Sequence, residues 1–318
     1  MTQTLDTGVQ GLEARTAGLA FGALLLGAVA MGISPVFVRL AEVGPYASAF
    51  WRVALALPAL YAWSAYESKR AGLHANSGLR FDRYVLLAGL LFAGDLFFWH
   101  LAIVNTTVAN ATFLAVLAPV FVVSLSWLVL KEAVGTEVIV GLACGLAGAA
   151  LLLGSSYNFA PGNLLGDAFG LITACFFGAY ILSIRPARRR HPAGRLIFLS
   201  SVVTAAILLV VALLTEPTLL PATGKGLMML AALALISHAG GQGLLAFALG
   251  HLPAGFSSLV IFLEGIAAAL FAWMALGEGM TWLQLLGSAA ILTGIWIARP
   301  RKARRGQPGE QDGGPKEQ

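Results

Sequence analysis

Charge is what this sequence has least of. Of its 318 residues only 11% are Asp, Glu, Lys or Arg, while 58% are hydrophobic and the mean hydropathy is +0.82. A soluble domain carries about 25% charged residues to clothe its surface, so a water-soluble globular protein is excluded and a polytopic membrane protein remains. Cysteine is nearly absent as well. Cys144 and Cys175 each lie inside an apolar run, where the thiol behaves as a small hydrophobe. No disulfide, metal or cofactor is therefore expected. The chain has no G-x-x-x-x-G-K-[ST] loop and no polar stretch that could house a nucleotide-binding domain, which excludes an ATP-driven pump within this chain. No nucleic-acid partner is expected. The first apolar run follows a polar arm without a small-residue cleavage site, so it reads as a retained helix rather than a signal peptide.

Long apolar runs are what the sequence does have. They cover Gly18 to Leu40, Pro45 to Tyr66, Tyr84 to Val104, Val108 to Leu130 and Gly135 to Gly154, then Leu164 to Ile184, Gly194 to Thr215, Gly226 to Gly250, Pro253 to Leu276 and Met280 to Ala298. Each is close to the length a helix needs to cross hydrocarbon. With the N-terminus in the cytoplasm, seventeen of the 20 Lys and Arg residues fall on the inside, leaving only Arg39, Arg52 and Lys225 outside. That bias follows the positive-inside rule only if both termini are cytoplasmic and the spans number ten. The partner of most of the surface is then the lipid bilayer. The expected organisation is a cytoplasmic arm over 1–17, a first unit over 18–161, a second over 162–298 and a disordered basic tail over 299–318.

The two units resemble each other. An offset of 146 residues carries Gly32 onto Gly178, Arg39 onto Arg185, Trp127 onto Trp273, Glu132 onto Glu278, Gly141 onto Gly287 and Gly148 onto Gly294. With five helices per unit, an odd number, the second copy enters the membrane upside down. Inverted repeats of this kind belong to alternating-access transporters with a site near the midplane. The fold class expected is thus an all-α integral membrane protein, ten transmembrane helices in two inverted five-helix repeats around a central cavity.

Leu117-x-Pro119, the helix ending in Lys131-Glu132, and the Gly141 and Gly148 helix resemble the EamA module of the drug/metabolite transporter superfamily. Leu263-Glu264, Gly277-Glu278, Gly287 and Gly294 repeat it, with a departure at Gly265, where the family often has proline. Within that superfamily the chain looks most like YddG-type exporters of aromatic amino acids. The resemblance implies a ten-helix exporter in the bacterial inner membrane, with amino acids as cargo and no enzymatic activity. The motifs identify the superfamily better than the cargo, so export of other amphiphilic metabolites or drugs stays open, as does oligomeric state.

The stretch Gly94-Asp-Leu-Phe-Phe-Trp-His100 puts ionisable groups in the middle of an apolar run, where a charge is costly and marks function by default. Helical spacing puts Asp95 and Trp99 on one stripe, with His100 turned away. The 146-residue offset takes Asp95 to Gly241, between His238 and Gln242, so these polar groups are expected at similar depth. Two readings of Asp95 remain: a ligand for the amino group of a zwitterion with Trp99 against its ring, or a brace paired with His238. Glu264 carries the same two readings. Trp51 shares with Trp99 a deep position in its run, whereas the other Trp residues near run ends form an interfacial belt. Tyr180, Ser34 and Asn110 with Thr112 complete the candidate substrate-binding residues. Arg52 is the only basic residue deep in a run, which argues against phosphorylated cargo. Two other classes are an intramembrane protease built on Gly32-Ile33-Ser34 with His238 as base, and a channel. Pro35, Pro58 and Pro119 are expected to kink their helices.

Overall fold

A computed structural model describes residues 2–70, 81–106, 108–154, 161–276 and 281–300, and these are all-helical with no strand among them. Gly277 and Glu278 of the second EamA-like motif, and the tail beyond Pro300, lie outside the described residues. The helices are α1 (Thr2–Gly32), α2 (Ser34–Leu40), α3 (Pro45–Ala54), α4 (Leu57–Arg70), α5 (Arg83–Asn105), α6 (Val108–Ala115), α7 (Ala118–Leu130) and α8 (Thr136–Gly154). After them come α9 (Leu164–Ala187), α10 (Ala193–Thr215), α11 (Gly224–Ala232), a π-helical segment (Leu233–Gln242), α12 (Gly243–Leu249), α13 (Ala254–Leu259), α14 (Phe262–Leu276) and α15 (Trp282–Ala298).

Seven stretches among the described residues are long and apolar enough to cross a membrane, and Thr136–Leu152 and Trp282–Ala298 are shorter apolar helices. The run from Pro45, which breaks at Leu55 and Ala56 into helices of 10 and 14 residues, is not among them. The expected proline kinks appear as breaks. Pro35 and Pro119 occupy the first turn of α2 and α7, and Pro58 is the second residue of α4, places where the missing N–H breaks no helical bond. Gly265 does not prevent a similar interruption, since the chain turns at Val260 and Ile261 without any proline.

α5 is flanked by α9 and α10, and glycines set how close they come. A Cβ on Gly94 would meet the Phe176 ring at 2.3 Å, and one on Gly89 would lie 2.8 Å from the Ser200 carbonyl. α8 and α15 also approach closely. A Cβ on Gly141 would be 2.7 Å from the Gly294 carbonyl oxygen and one on Gly148 2.6 Å from that of Gly287, with the reverse distances 2.7 and 2.5 Å. The two helices therefore run antiparallel and touch backbone to backbone at two points.

Carboxylates tie the bundle at both ends. At the end holding the α9–α10 turn, Lys131 adopts a left-handed conformation (φ 58°) that terminates α7 and turns the chain. Glu132 then reaches the Arg185 guanidinium at 2.8 Å and the Ala254 N–H at 3.1 Å. Asp82 caps α5 and pairs with His191 at 2.9 Å, while Glu67 accepts from the Gly194 N–H. At the opposite end Glu216 accepts from the N–H groups of Tyr46 and Ala47 and so caps α3 from 170 positions away. Glu42 holds Thr223. Trp51 donates to the Leu219 carbonyl at 2.6 Å, so it serves this end rather than the interior expected for it.

Candidate functional site

A cavity of about 70 Å³ lies inside the bundle, where helix breaks and a π segment converge. Its wall takes Met31, Gly32, Ser34 and Pro35 from the α1–α2 break, Arg52 from α3, and Asp95, Leu96 and Trp99 from α5. Thr112, Ala115 and Val116 come from the end of α6, Thr173 and Phe177 from α9, Gln242 from the π segment, and Ile261, Glu264 and Ala268 from the α13–α14 turn onward. Breaks and π turns free backbone groups and re-aim side chains, and both recur at functional sites.

Local contacts explain how these groups are aimed. Asp82 anchors the start of α5, and three turns further on the helix delivers Asp95 and Trp99 to one wall, as their spacing predicts. α1 comes close to the π segment because a Cβ on Gly27 would be 3.0 Å from the Gly241 carbonyl and one on Gly241 2.5 Å from Met31 Cγ. That contact sets Met31 beside Gln242, whose amide nitrogen lies 3.2 Å from the Met31 sulfur. Three buried polar atoms around this one cavity lack a hydrogen-bond partner among the described residues: Ser34 Oγ, Arg52 Nε and Gln242 Oε1. Buried polar groups are nearly always satisfied, so three such exceptions on residues of one wall make this cavity the candidate site.

Of the residues singled out from the sequence, Asp95, Trp99, Gln242, Glu264 and Ser34 line the cavity together. The others stand behind or away from the wall. Tyr180 is buried against the rings of Phe92 and Phe177, at 4.9 and 6.1 Å. His100 is buried, its Nδ1 donating to the Leu96 carbonyl at 2.6 Å, with its ring against Trp99. Asn110 donates to Asp167 at 3.0 Å, near Thr106, which donates to the same oxygen. Its neighbour Thr112 is the one that lines the cavity.

The expected brace between Asp95 and His238 is not made. His238 Nε2 lies 2.8 Å from Ser201 Oγ, and the Phe92 ring packs on the imidazole at 5.4 Å. His238 and Gln242 stand one turn apart in the π segment, yet His238 is taken up by Ser201 and Phe92 and only Gln242 reaches the cavity. Ser34 and His238 accordingly form no nucleophile and base pair. Arg52 was missed as a site residue. In the sequence it reads as the only basic residue deep in a run and counts only against phosphorylated cargo, whereas the structure places it in the last turn of short α3, 6% exposed and on the cavity wall.

The EamA-like transporter family matches twice, over residues 18–154 and 164–299, together nearly the whole chain. The chain belongs to that family. A relative, an uncharacterized transporter of Archaeoglobus fulgidus, is 28% identical over 276 residues, covering 87% of this chain and 94% of that protein. A solved crystal structure with 21% identity superimposes with a TM-score of 0.73 over 89% of this chain and 98% of the other, which establishes the shared fold. This EamA-like chain is therefore a transporter and not an enzyme, a multi-pass membrane protein of the drug/metabolite superfamily. Its family membership supplies a small molecule as the substrate and a lipid bilayer as its surroundings.

Proposed function

We propose that this transporter exports small zwitterionic metabolites, above all amino acids and aromatic ones among them, across the bacterial inner membrane by alternating access. The observation that carries the reading is the meeting of Asp95, Glu264 and Trp99 on one buried cavity. A carboxylate receives an ammonium group, and an indole receives an apolar or aromatic side chain or lies over the cation. The cavity's 70 Å³ is well below the roughly 300 Å³ of a pocket that encloses a drug-sized ligand. It has room for a few water molecules, so loading an aromatic amino acid requires Trp99 or Phe177 to move and one end to open.

In this reading the chain is ten spans in two inverted repeats, 18–161 and 162–298, with both termini cytoplasmic. The reciprocal contacts of α8 and α15 support it. The 146-residue offset relates Gly141 to Gly287 and Gly148 to Gly294, while Gly141 touches Gly294 and Gly148 touches Gly287, the pattern expected of a pseudo-two-fold axis between the copies. The double match to one family adds to that. The seventeen-to-three distribution of basic residues supports the orientation.

The test is flux of an amino-acid panel, with amphiphilic drugs as comparison, in liposomes holding the purified protein, with and without a proton gradient. Saturable counterflow of amino acids is expected. Flux of drugs without amino acids would replace the cargo class, and non-saturable flux would replace the transporter cycle with a channel.

A further inference from the structure

Arg52 is the one feature of the cavity that an ammonium-binding role for Asp95 and Glu264 leaves unexplained. An arginine inside a membrane bundle needs a partner, because an unpaired cation in hydrocarbon is among the costliest groups a protein can hold. Arg185 and Arg188 follow that rule. Arg185 donates to Glu132 and to the Leu249 carbonyl, each at 2.8 Å, and Arg188 to the carbonyls of Ala246 and His191 at 2.9 and 2.6 Å. Arg52 is buried more deeply than a typical interfacial arginine, yet it makes no hydrogen bond or ion pair with any described residue, and its Nε is sealed from solvent without a partner. Arg185–Glu132 and His191–Asp82 do close to ion pairs, both at the bundle end.

Asp95 and Glu264 share the cavity with Arg52 and feel its charge, but neither closes to ion-pair distance. Unlike charges meant only to brace helices would collapse onto each other. Here they are held apart across open space, the arrangement that a molecule bearing both charges would bridge. We propose that Arg52 binds the carboxylate of the cargo while Asp95 or Glu264 takes the ammonium, so that the cavity measures out the head group of an α-amino acid and leaves Trp99 and Phe177 to the side chain. The guanidinium fork fits a planar carboxylate through two parallel hydrogen bonds, which a lysine cannot reproduce. The inference rests on the amino-acid reading of the site and adds to it the residue that distinguishes an amino acid from an amine.

The experiment compares phenylalanine, phenylalaninamide and phenethylamine as competitors of labelled phenylalanine uptake in proteoliposomes. The wild type should prefer phenylalanine over the other two by about tenfold or more, the ordinary range for losing charge-assisted hydrogen bonds in a buried site. Arg52→Gln should bring that ratio close to one, with Arg52→Lys between the two. A wild type that takes up phenylalanine but competes equally well with the amide overturns the role of Arg52 and leaves amino-acid transport standing. This arm needs no variant to fold. An Arg52→Gln protein that slows all cargo alike and keeps the wild-type ratio makes Arg52 a structural counter-ion and also overturns the proposal. A wild type that carries none of the three sinks the amino-acid reading itself, and the assignment of Arg52 falls with it.

Discussion

The α8–α15 crossing and the cavity wall use opposite means to occupy the same apolar surroundings. At the crossing the chain removes side chains, so that Gly141, Gly148, Gly287 and Gly294 let two backbones touch, with no ionisable residue at the contacts. At the cavity it breaks its helices, keeps the backbones apart, and inserts Arg52, Asp95 and Glu264 into the gap. Without a hydrophobic drive between helices in lipid, close packing of small residues supplies adhesion. Polar groups are tolerated where water or cargo can satisfy them. The difference teaches which part of the molecule is built to stay shut and which to be filled.

Breaking the crossing should have the largest effect. Gly148→Leu would drive a side chain into the Gly287 carbonyl and the Ile291 backbone, so the folded protein should be lost or its melting temperature in detergent should fall by many degrees. Gly22→Ala, with nothing within 4 Å of the new methyl, should leave the melting temperature level or slightly raised. Equal damage at both positions would mean that close approach is not what the crossing glycines provide. On the cavity side the pattern should invert. Asp95→Asn is expected to keep the melting temperature within a few degrees while lowering amino-acid flux at least tenfold, because the amide keeps the shape and loses the charge. An asparagine variant that transports at the wild-type rate would remove Asp95 from the site. Trp99→Ala should be milder and selective, weakening aromatic cargo by about two- to tenfold more than small cargo, the worth of a ring contact beyond burial. A uniform loss across cargo sizes would assign Trp99 to packing.

The smallest effect belongs to the bundle end. Burial pushes the Asp82 carboxyl up, but the hydrogen bonds from His191 and from the Val85 and Tyr84 N–H groups outweigh it and hold it below the ordinary 3.8. A lowered carboxyl contributes stability that is present above its unfolded value and lost as pH falls through the folded one. Asp82→Asn should therefore cost under about 1 kcal/mol at neutral pH, as an outlying ion pair does. In melts at decreasing pH the gap from wild type should close below about pH 4. A gap that persists there would show the cap geometry, rather than the charge, to be the stabilising element.

Helix positions were legible because apolar runs and prolines are local signals. Pro35, Pro58 and Pro119 all stand where the chain breaks, and the α5 stripe of Asp95 and Trp99 follows from helical spacing alone. What failed was information carried by three-dimensional convergence. Nothing near Val260 announces a turn, nothing in the sequence from Leu233 announces a π segment, and spacing alone does not show that Ser201 takes His238 while Gln242 reaches the cavity. Arg52 escaped for the same reason. Its depth in the run was legible, but its place on the cavity wall and its lack of a partner depend on where six other segments of chain pass.

Glu216 gives this arrangement a mechanical meaning. α3 is only ten residues, about 15 Å from end to end, and so short a helix has little persistence of its own. It is gripped at one tip by the Glu216 carboxylate, borrowed from the far end of α10, and carries Arg52 near the other. The cation in the cavity is thus mounted on a short lever whose clamp belongs to a different part of the chain. If cargo seats on Arg52 as proposed, a motion that pulls the end of α10 away would unclamp the lever, and bound cargo would hold the clamp shut. By reciprocity, the free energy with which cargo tightens that end equals the free energy with which opening that end loosens cargo.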